Sequence, residues 1–376
     1  MPVKGLIKRA LFPVVGALTY LEIPFRHHRV GIGREEAVAV IDRVSPRPRC
    51  SVAAHNEISP QYDLMVVVPV YNVAPYLEAC IESMLTQRTT HTFHIVLVDD
   101  GSTDGSANIL KRYSTNSDVT VLSKENGGIS SARNAGLRHI RGRYVMFVDS
   151  DDIVAPNAFE TMLDMAYRWD ADAVEGSVEF FNDDGVVEVQ RRSRSRTSAD
   201  KIKDLRGQPW AKLYRGSLFE DIQYPEGCLY EDSILAYCVH PRITRAYAVN
   251  DIVYRYRVNP QGITVTSRKL VKSLDTVWIT DYLFPYFVEH YSDTGKMEQL
   301  TMLIDQIALN HKRTEGMEKN VREAVFAVSC SWLHQYFNRQ DANLLHGKRR
   351  MLAVAVEAGD YGAYELVCSR WRFLNN

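Results

Sequence analysis

The sequence predicts an α/β fold in which a largely parallel sheet carries helices on its faces. Short apolar runs alternate with helical patterns between residues 64 and 148. The first run, Leu64 to Val70 (LMVVVPV), is continuous and rich in valine, which marks a strand buried on both faces. Polar and acidic clusters follow directly after three of the runs. The alternation implies strand–helix–strand units with right-handed crossovers. Ligands of such sheets bind at the carboxyl ends of the strands, where these clusters fall.

The elements follow in order. Residues 1–61 form an N-terminal segment that ends in a polar, Pro-containing stretch, Ser45 to Ser59, read as a linker. After the first strand, Pro75 to Leu85 has apolar residues at helical spacing with proline at its start. Phe93 to Val98 is the second strand, Ser102 to Tyr113 a helix, Val119 to Leu122 a strand, Ser130 to His139 a helix and Tyr144 to Val148 a strand. Residues 62–268 are read as one catalytic domain. From residue 269 to 376 the pattern is mostly helical, with Trp278, Tyr282, Phe326, Trp332 and Phe337 reading as a packed core.

Composition narrows the function. The 376 residues carry 45 Lys+Arg against 46 Asp+Glu, a net charge of -1, which gives no reason to expect nucleic acid as partner. The six cysteines form no CxxC pair, so neither a disulfide framework nor a structural zinc site is expected. No apolar run reaches the roughly 20 residues of a membrane span. Leu11 to Phe25 comes closest, flanked by Lys4, Lys8, Arg9 and Arg26 to Arg29. It suits either a segment lying on the inner face of an anionic membrane or one packed on the protein itself. The protein is otherwise expected in the cytoplasm.

The sharpest chemical signal is Asp149-Ser150-Asp151-Asp152, directly after an apolar strand. Two carboxylates one residue apart at a strand end can share a divalent cation such as Mn²⁺ or Mg²⁺ with phosphate oxygens. That cation would stabilise charge on a departing nucleotide diphosphate. Asp149 and Asp151 are the candidate ligands; a solvated turn or a helix cap is the plainer reading of the same residues. The second signal is Asp99-Asp100-Gly101-Ser102-Thr103-Asp104. A carboxylate here can accept from a base N–H or a ribose hydroxyl, which assigns Asp100 to the nucleoside and Asp99 to its support.

These motifs, in this order, resemble the family 2 glycosyltransferases with the GT-A fold. The match runs through Val66-Val67-Val68-Pro69-Val70-Tyr71-Asn72, the Asp99 motif, Asn126-Gly127-Gly128 to Gly136, the Asp149 motif, Pro209-Trp210-Ala211-Lys212-Leu213-Tyr214, Glu231-Asp232, Tyr254-Arg255-Tyr256-Arg257 and Gly262-Ile263-Thr264. The resemblance implies a Rossmann-like mixed sheet flanked by helices. It implies an inverting, metal-dependent enzyme that moves a sugar from a nucleotide-diphosphate donor, a UDP-sugar, to a glycan or lipid-linked hydroxyl acceptor. Pro69 and Tyr71 would line the base pocket with Asn72 beside them. Asn126, Gly127 and Arg133 would face the donor's phosphates or sugar. Asp232 would be the general base. Arg255 departs from the aromatic residue common at that place in the family.

Read from the residues alone, Glu231-Asp232 fits a helix N-terminus as well as a base. Lys212 could contact phosphate, hold an acid in place, or lie along a helix surface. Arg191 to Arg196 reads as a solvated basic loop. A nucleotidyltransferase would need a glycine-rich loop where Pro69 to Asn72 stand, and a nicotinamide enzyme a GxGxxG. The alternative outside enzymology is a scaffold on an inactive transferase fold.

Overall fold

The computed structural model describes residues 22, 27–192, 205–259, 271–291 and 295–371. They fall into two compact units, Pro48–Gly262 and Met1–Arg47 with Ile263–Asn376.

The first unit is a nine-stranded sheet. β1 (Glu57–Val70) pairs in parallel with β2 (Phe93–Asp99) on one side and β4 (His139–Phe147) on the other, and β2 pairs with β3 (Val119–Ser123). The chain then adds β5 (Ile153–Val154), β6 (Ala173–Asn182), β7 (Gly185–Gln190), β8 (Lys212–Arg215) and β9 (Ala246–Arg257). The order across the sheet is β3-β2-β1-β4-β8-β6-β9-β5, with β7 on β6. β8 runs antiparallel between β4 and β6, so the sheet is mixed. The chain leaves β1 toward β2 and returns to the other side as β4. The gap between β1 and β4 is therefore the topological switch point, where ligands of open sheets bind.

Helices cover both faces. α2 (Ala74–Leu85), α3 (Ser106–Tyr113) and α5 (Ala158–Arg168) bury Leu77, Ile81, Leu110, Phe159 and Met162 in one core with Val66, Val68, Leu97 and Met146. α4 (Gly128–Leu137) crosses the opposite face, where alternate β1 residues point. Gly136 makes that crossing possible: a Cβ there would stand 2.5 Å from Val67 Cγ1.

Two local expectations shift. The stretch read as a linker already enters β1 at Glu57, because Glu57 to Tyr62 pair with His139 to Gly142 of β4 beyond the reach of β2. With one neighbour only, this half of the strand stays polar and tolerates Pro60 at a register irregularity. The helix expected from Ser102 starts at Ser106. Asp104 accepts the N–H groups of Ser106 and Ala74, each at 2.9 Å, so the residues before it form a brace between two loops.

The second unit is helical: α1 (Arg34–Val44), α6 (Asp275–His290), α7 (Lys296–Thr314), α8 (Lys319–Tyr336), α9 (Gly347–Glu357) and α10 (Tyr361–Ser369). Trp278, Phe326 and Trp332 are buried in it, as their spacing predicts. The Trp332 indole donates to Asp281 at 2.7 Å, and Arg34 and Arg47 pair with the same carboxylate. Among the described residues no helix is long and apolar enough to cross a membrane. Leu11 to Phe25, Glu22 apart, Ser193 to Arg196 and Gly262 to Thr264 lie outside the described residues.

Candidate functional site

The first cluster forms where β1 and β2 end. Val67 still accepts the Val148 N–H at 3.1 Å, but its ladder with β4 stops there. Residue 69 turns its backbone to the same side, where no partner needs an N–H, so a proline fits in an otherwise central strand. Pro69 is buried; Tyr71 beyond it is 51% exposed. Asn72 has a left-handed backbone (φ 49°). Its N–H donates to Ser102 Oγ at 3.2 Å and its Oδ1 accepts from Thr103 N–H at 2.8 Å, so the two loops hold each other.

Asp99 and Asp100 are both buried. Asp99 accepts the Ser102 N–H at 2.9 Å, which closes the turn through Gly101 (φ 77°). Asp100 accepts from Lys124 Nζ at 2.7 Å, from Gly127 N–H at 3.0 Å and from Gly128 N–H at 2.7 Å. Its carboxylate thereby holds the start of α4, where free N–H groups and the helix dipole favour an anion. Asn126 and Gly127 are exposed beside it.

The second cluster lies past the end of β4. Arg133, on α4, is 2% exposed and reaches Asp149 Oδ1 at 3.0 Å and Glu231 Oε1 at 2.7 Å. Its guanidinium lies over the Tyr224 ring at 5.3 Å. Burial alone would lower its pKa, but Asp149 and Glu231 more than offset this and raise it. Asp232 follows Glu231 directly and is half-buried. Tyr230 just before the pair takes a left-handed backbone (φ 66°). Four non-glycine residues among those described have positive φ: Asn72 is itself an expected site residue, Ala211 adjoins Lys212 and Tyr230 precedes the Glu231-Asp232 pair, while Asp170 lies elsewhere. Such conformations are costly and cluster at functional sites.

Asp151 fits a cation ligand by its surroundings. Burial first, and the charge of Asp149 second, push its carboxyl up to about 6. Among the described residues no side chain donates to it. Asp152 is fully buried and its pKa is raised further in direction, by burial, Asp149 and Asp151 in that order. Three carboxylates lie in one turn, against the Arg133 guanidinium on Asp149 and the Arg257 guanidinium at the Asp151 carbonyl. A divalent cation at Asp149 and Asp151 would relieve that excess of negative charge. A group of three whose ligand atoms all lie within 4.8 Å does exist elsewhere: His91, Glu160 and Asp164. His91 just precedes β2, Glu160 and Asp164 lie on α5, and Thr89 and Thr90 already satisfy Glu160.

Lys212 is fully buried at the start of β8. Its ammonium lies 3.2 Å from Glu175 Oε1 and donates to the Gln208 carbonyl at 2.7 Å. Burial pulls its pKa down to about 8 against the attraction of Glu175. Of the basic loop, Arg191 and Arg192 are described; Arg192 pairs with the same Glu175.

The expected residues thus fall into two clusters joined by α4, whose first amides sit on Asp100 and whose Arg133 sits on Asp149. Lys212 lies apart with Glu175. Lys124, Glu231 and Tyr254 carry contacts that sequence reading did not assign. Tyr254 and Glu231 stood inside quoted motifs; Lys124 had no signal beyond its place two residues before Asn126.

Residues 65–222 match the model of glycosyl transferase family 2. The chain is 32% identical over 232 residues to the glycosyltransferase GlyG of Streptococcus pneumoniae, covering 57% of this chain and 77% of that protein. The chain belongs to glycosyltransferase family 2. It is also 30% identical over 220 residues to the minor teichoic acid biosynthesis protein GgaB of Bacillus subtilis, covering 55% of this chain. It spans only 24% of GgaB and 31% of another curated relative. Among solved structures, S. aureus TarS 1-349 in complex with UDP-GlcNAc superposes with a TM-score of 0.63 at 22% identity, over 82% of this chain and 91% of that one. The mixed sheet is therefore the GT-A fold of this family, with a helical C-terminal region.

Proposed function

We propose that this glycosyltransferase is an inverting, metal-dependent enzyme that transfers a sugar from a UDP-sugar to a hydroxyl of a glycan or lipid-linked acceptor in cell-surface polysaccharide synthesis. The observation that carries this is Arg133. One buried guanidinium joins Asp149, the first acid of the DxD turn, to Glu231, the neighbour of Asp232. The acids suited to the diphosphate and the acid suited to the acceptor therefore border one site, within residues 62–268.

In this reading Tyr71 stacks on the base beside Pro69 and Asn72, and Asp99 and Asp100 support the nucleoside. Asn126 and Gly127 face the diphosphate. Asp149 and Asp151 hold Mn²⁺ or Mg²⁺, which when bound neutralises charge on the departing nucleoside diphosphate. Asp232 takes the acceptor's proton as the hydroxyl attacks the anomeric carbon from the side opposite the leaving group. The TarS complex with UDP-GlcNAc supports the donor class, and the minor teichoic acid biosynthesis protein GgaB supports the polysaccharide setting. Residues 1–30 are proposed to rest on the inner face of the membrane; liposome flotation with and without them checks this.

Nucleotide release from UDP-sugars with Mn²⁺ tests the reading. Asp151→Ala should abolish turnover and weaken metal-dependent UDP binding, while Asp232→Asn should abolish turnover and leave UDP binding intact. Near-normal turnover in Asp232→Asn removes the base. No metal-dependent release from any nucleotide sugar by the wild-type protein favours the scaffold.

A further inference from the structure

We infer that the Tyr254 hydroxyl is the group that positions the DxD turn, with Asp152 as its anchor and not a third metal ligand; this rests on the metal reading above. Tyr254 is fully buried near the end of β9. Its hydroxyl accepts the Asp149 N–H at 3.0 Å and donates to Asp152 Oδ2 at 2.8 Å. A phenol has one donor and free lone pairs, so both bonds coexist. One oxygen, from a residue 105 positions further along the chain, ties the first acid of the turn to the last. Inside the turn, the Asp152 N–H donates to the Asp149 carbonyl at 3.0 Å.

The end of β9 completes the clamp. Arg257 N–H donates to Asp152 Oδ1 at 2.6 Å, and Arg257 Nε donates to the Asp151 carbonyl at 2.9 Å. Both carboxylate oxygens of Asp152 are thereby engaged, and the residue is 0% exposed. The clamp is itself held in place. Trp210 stacks on the Tyr254 ring at 5.1 Å and 9°, and the Arg257 guanidinium lies over Tyr76 at 4.5 Å and Phe181 at 4.6 Å. Hydrogen bonds of this outer kind orient the ligands of metal sites, and removing one typically weakens metal binding about 10–100-fold.

Tyr254→Phe keeps the ring and its stacking and removes the hydroxyl alone. In metal-free protein, hydrogen exchange at the Asp149 amide should quicken about tenfold, the loss of one buried bond. Titration with Mn²⁺ alone should show affinity weakened by about tenfold or more. UDP affinity without metal should stay within about twofold, since the base cluster is untouched. Unchanged exchange at Asp149 overturns the relay; quickened exchange with wild-type Mn²⁺ affinity overturns the positioning role. Should Tyr254→Phe not fold, Asp152→Asn, which removes the anchoring carboxylate, must show the weakened Mn²⁺ binding, and wild-type affinity there overturns the inference. Wild-type protein that binds no Mn²⁺ overturns the metal reading and the positioning role with it, while exchange at Asp149 still decides the relay.

Discussion

Arg133→Met puts the joint between the two acidic motifs to a direct test. The guanidinium is 2% exposed, Glu231 13% and Asp149 26% by side chain. Removing one partner of a buried ion pair costs about 3–5 kcal/mol, because the remaining charge is left unpaired. Water reaches Glu231 and Asp149 in part, which places this case near the lower figure. The lost contact with the Tyr224 face adds about 1 kcal/mol. A loss of about 4 kcal/mol in urea unfolding is therefore expected. Methionine keeps most of the volume, so the effect reports charge more than packing. Arg133→Met with Glu231→Gln should recover about 1–2 kcal/mol, since the more buried of the two carboxylates left without a cation is then neutral. Arg133→Lys should fall between, because an ammonium cannot serve both carboxylates in the fixed geometry of a guanidinium. A loss below about 1 kcal/mol in the single variant, or a double variant no better than it, would refute the bridge as a stabilising element.

Further outcomes follow from other sites. His240 is buried, and burial first, then the Lys212 charge, lowers its pKa from 6.5 to about 3. The unfolded chain binds this proton below about 6.5 and the folded chain does not until about 3. Its contribution is thus intact above pH 6.5 and is lost as pH falls toward 3, roughly 4–5 kcal/mol in all. Stability of His240→Gln measured between pH 4 and 7 should show a flatter slope, and an unchanged slope would show that His240 charges in the folded state. Gly136→Ala would push a methyl to 2.5 Å from Val67 Cγ1. The misfit should cost about 1–3 kcal/mol in thermal unfolding; a neutral result would mean that α4 can shift freely on β1. Asp100→Asn weakens the two amide bonds that hold the start of α4, from Gly127 and Gly128, and the bond from Lys124, which should raise hydrogen exchange at Gly127 and Gly128 and destabilise the fold by about 1–2 kcal/mol. Wild-type protection there would mean that the helix start holds itself.

Much of this protein was legible one residue at a time. Leu64 to Val70 and Phe93 to Val98 are apolar on both faces because the sheet is covered on both, and this alone marks them as central strands. The acids after them were visible because a buried strand must end before a charge can follow. Motifs in fixed order carried the family, since each demands its own backbone and side-chain chemistry.

What the sequence could not reveal is which charges meet. Arg133 reads as a helical residue of a donor-facing motif, yet it is buried between Asp149 and Glu231, contacts 16 and 98 positions away. Lys212 left several roles open, and its pairing with Glu175 depends on β8 running antiparallel beside β6. The Tyr254 hydroxyl reaches the DxD turn only because β9 is folded back beside β5 and β6. Periodicity records how far each residue lies from water, which is a local property of the chain. Pairing of buried charges depends on which strands become neighbours, and that is fixed only when the whole sheet has assembled.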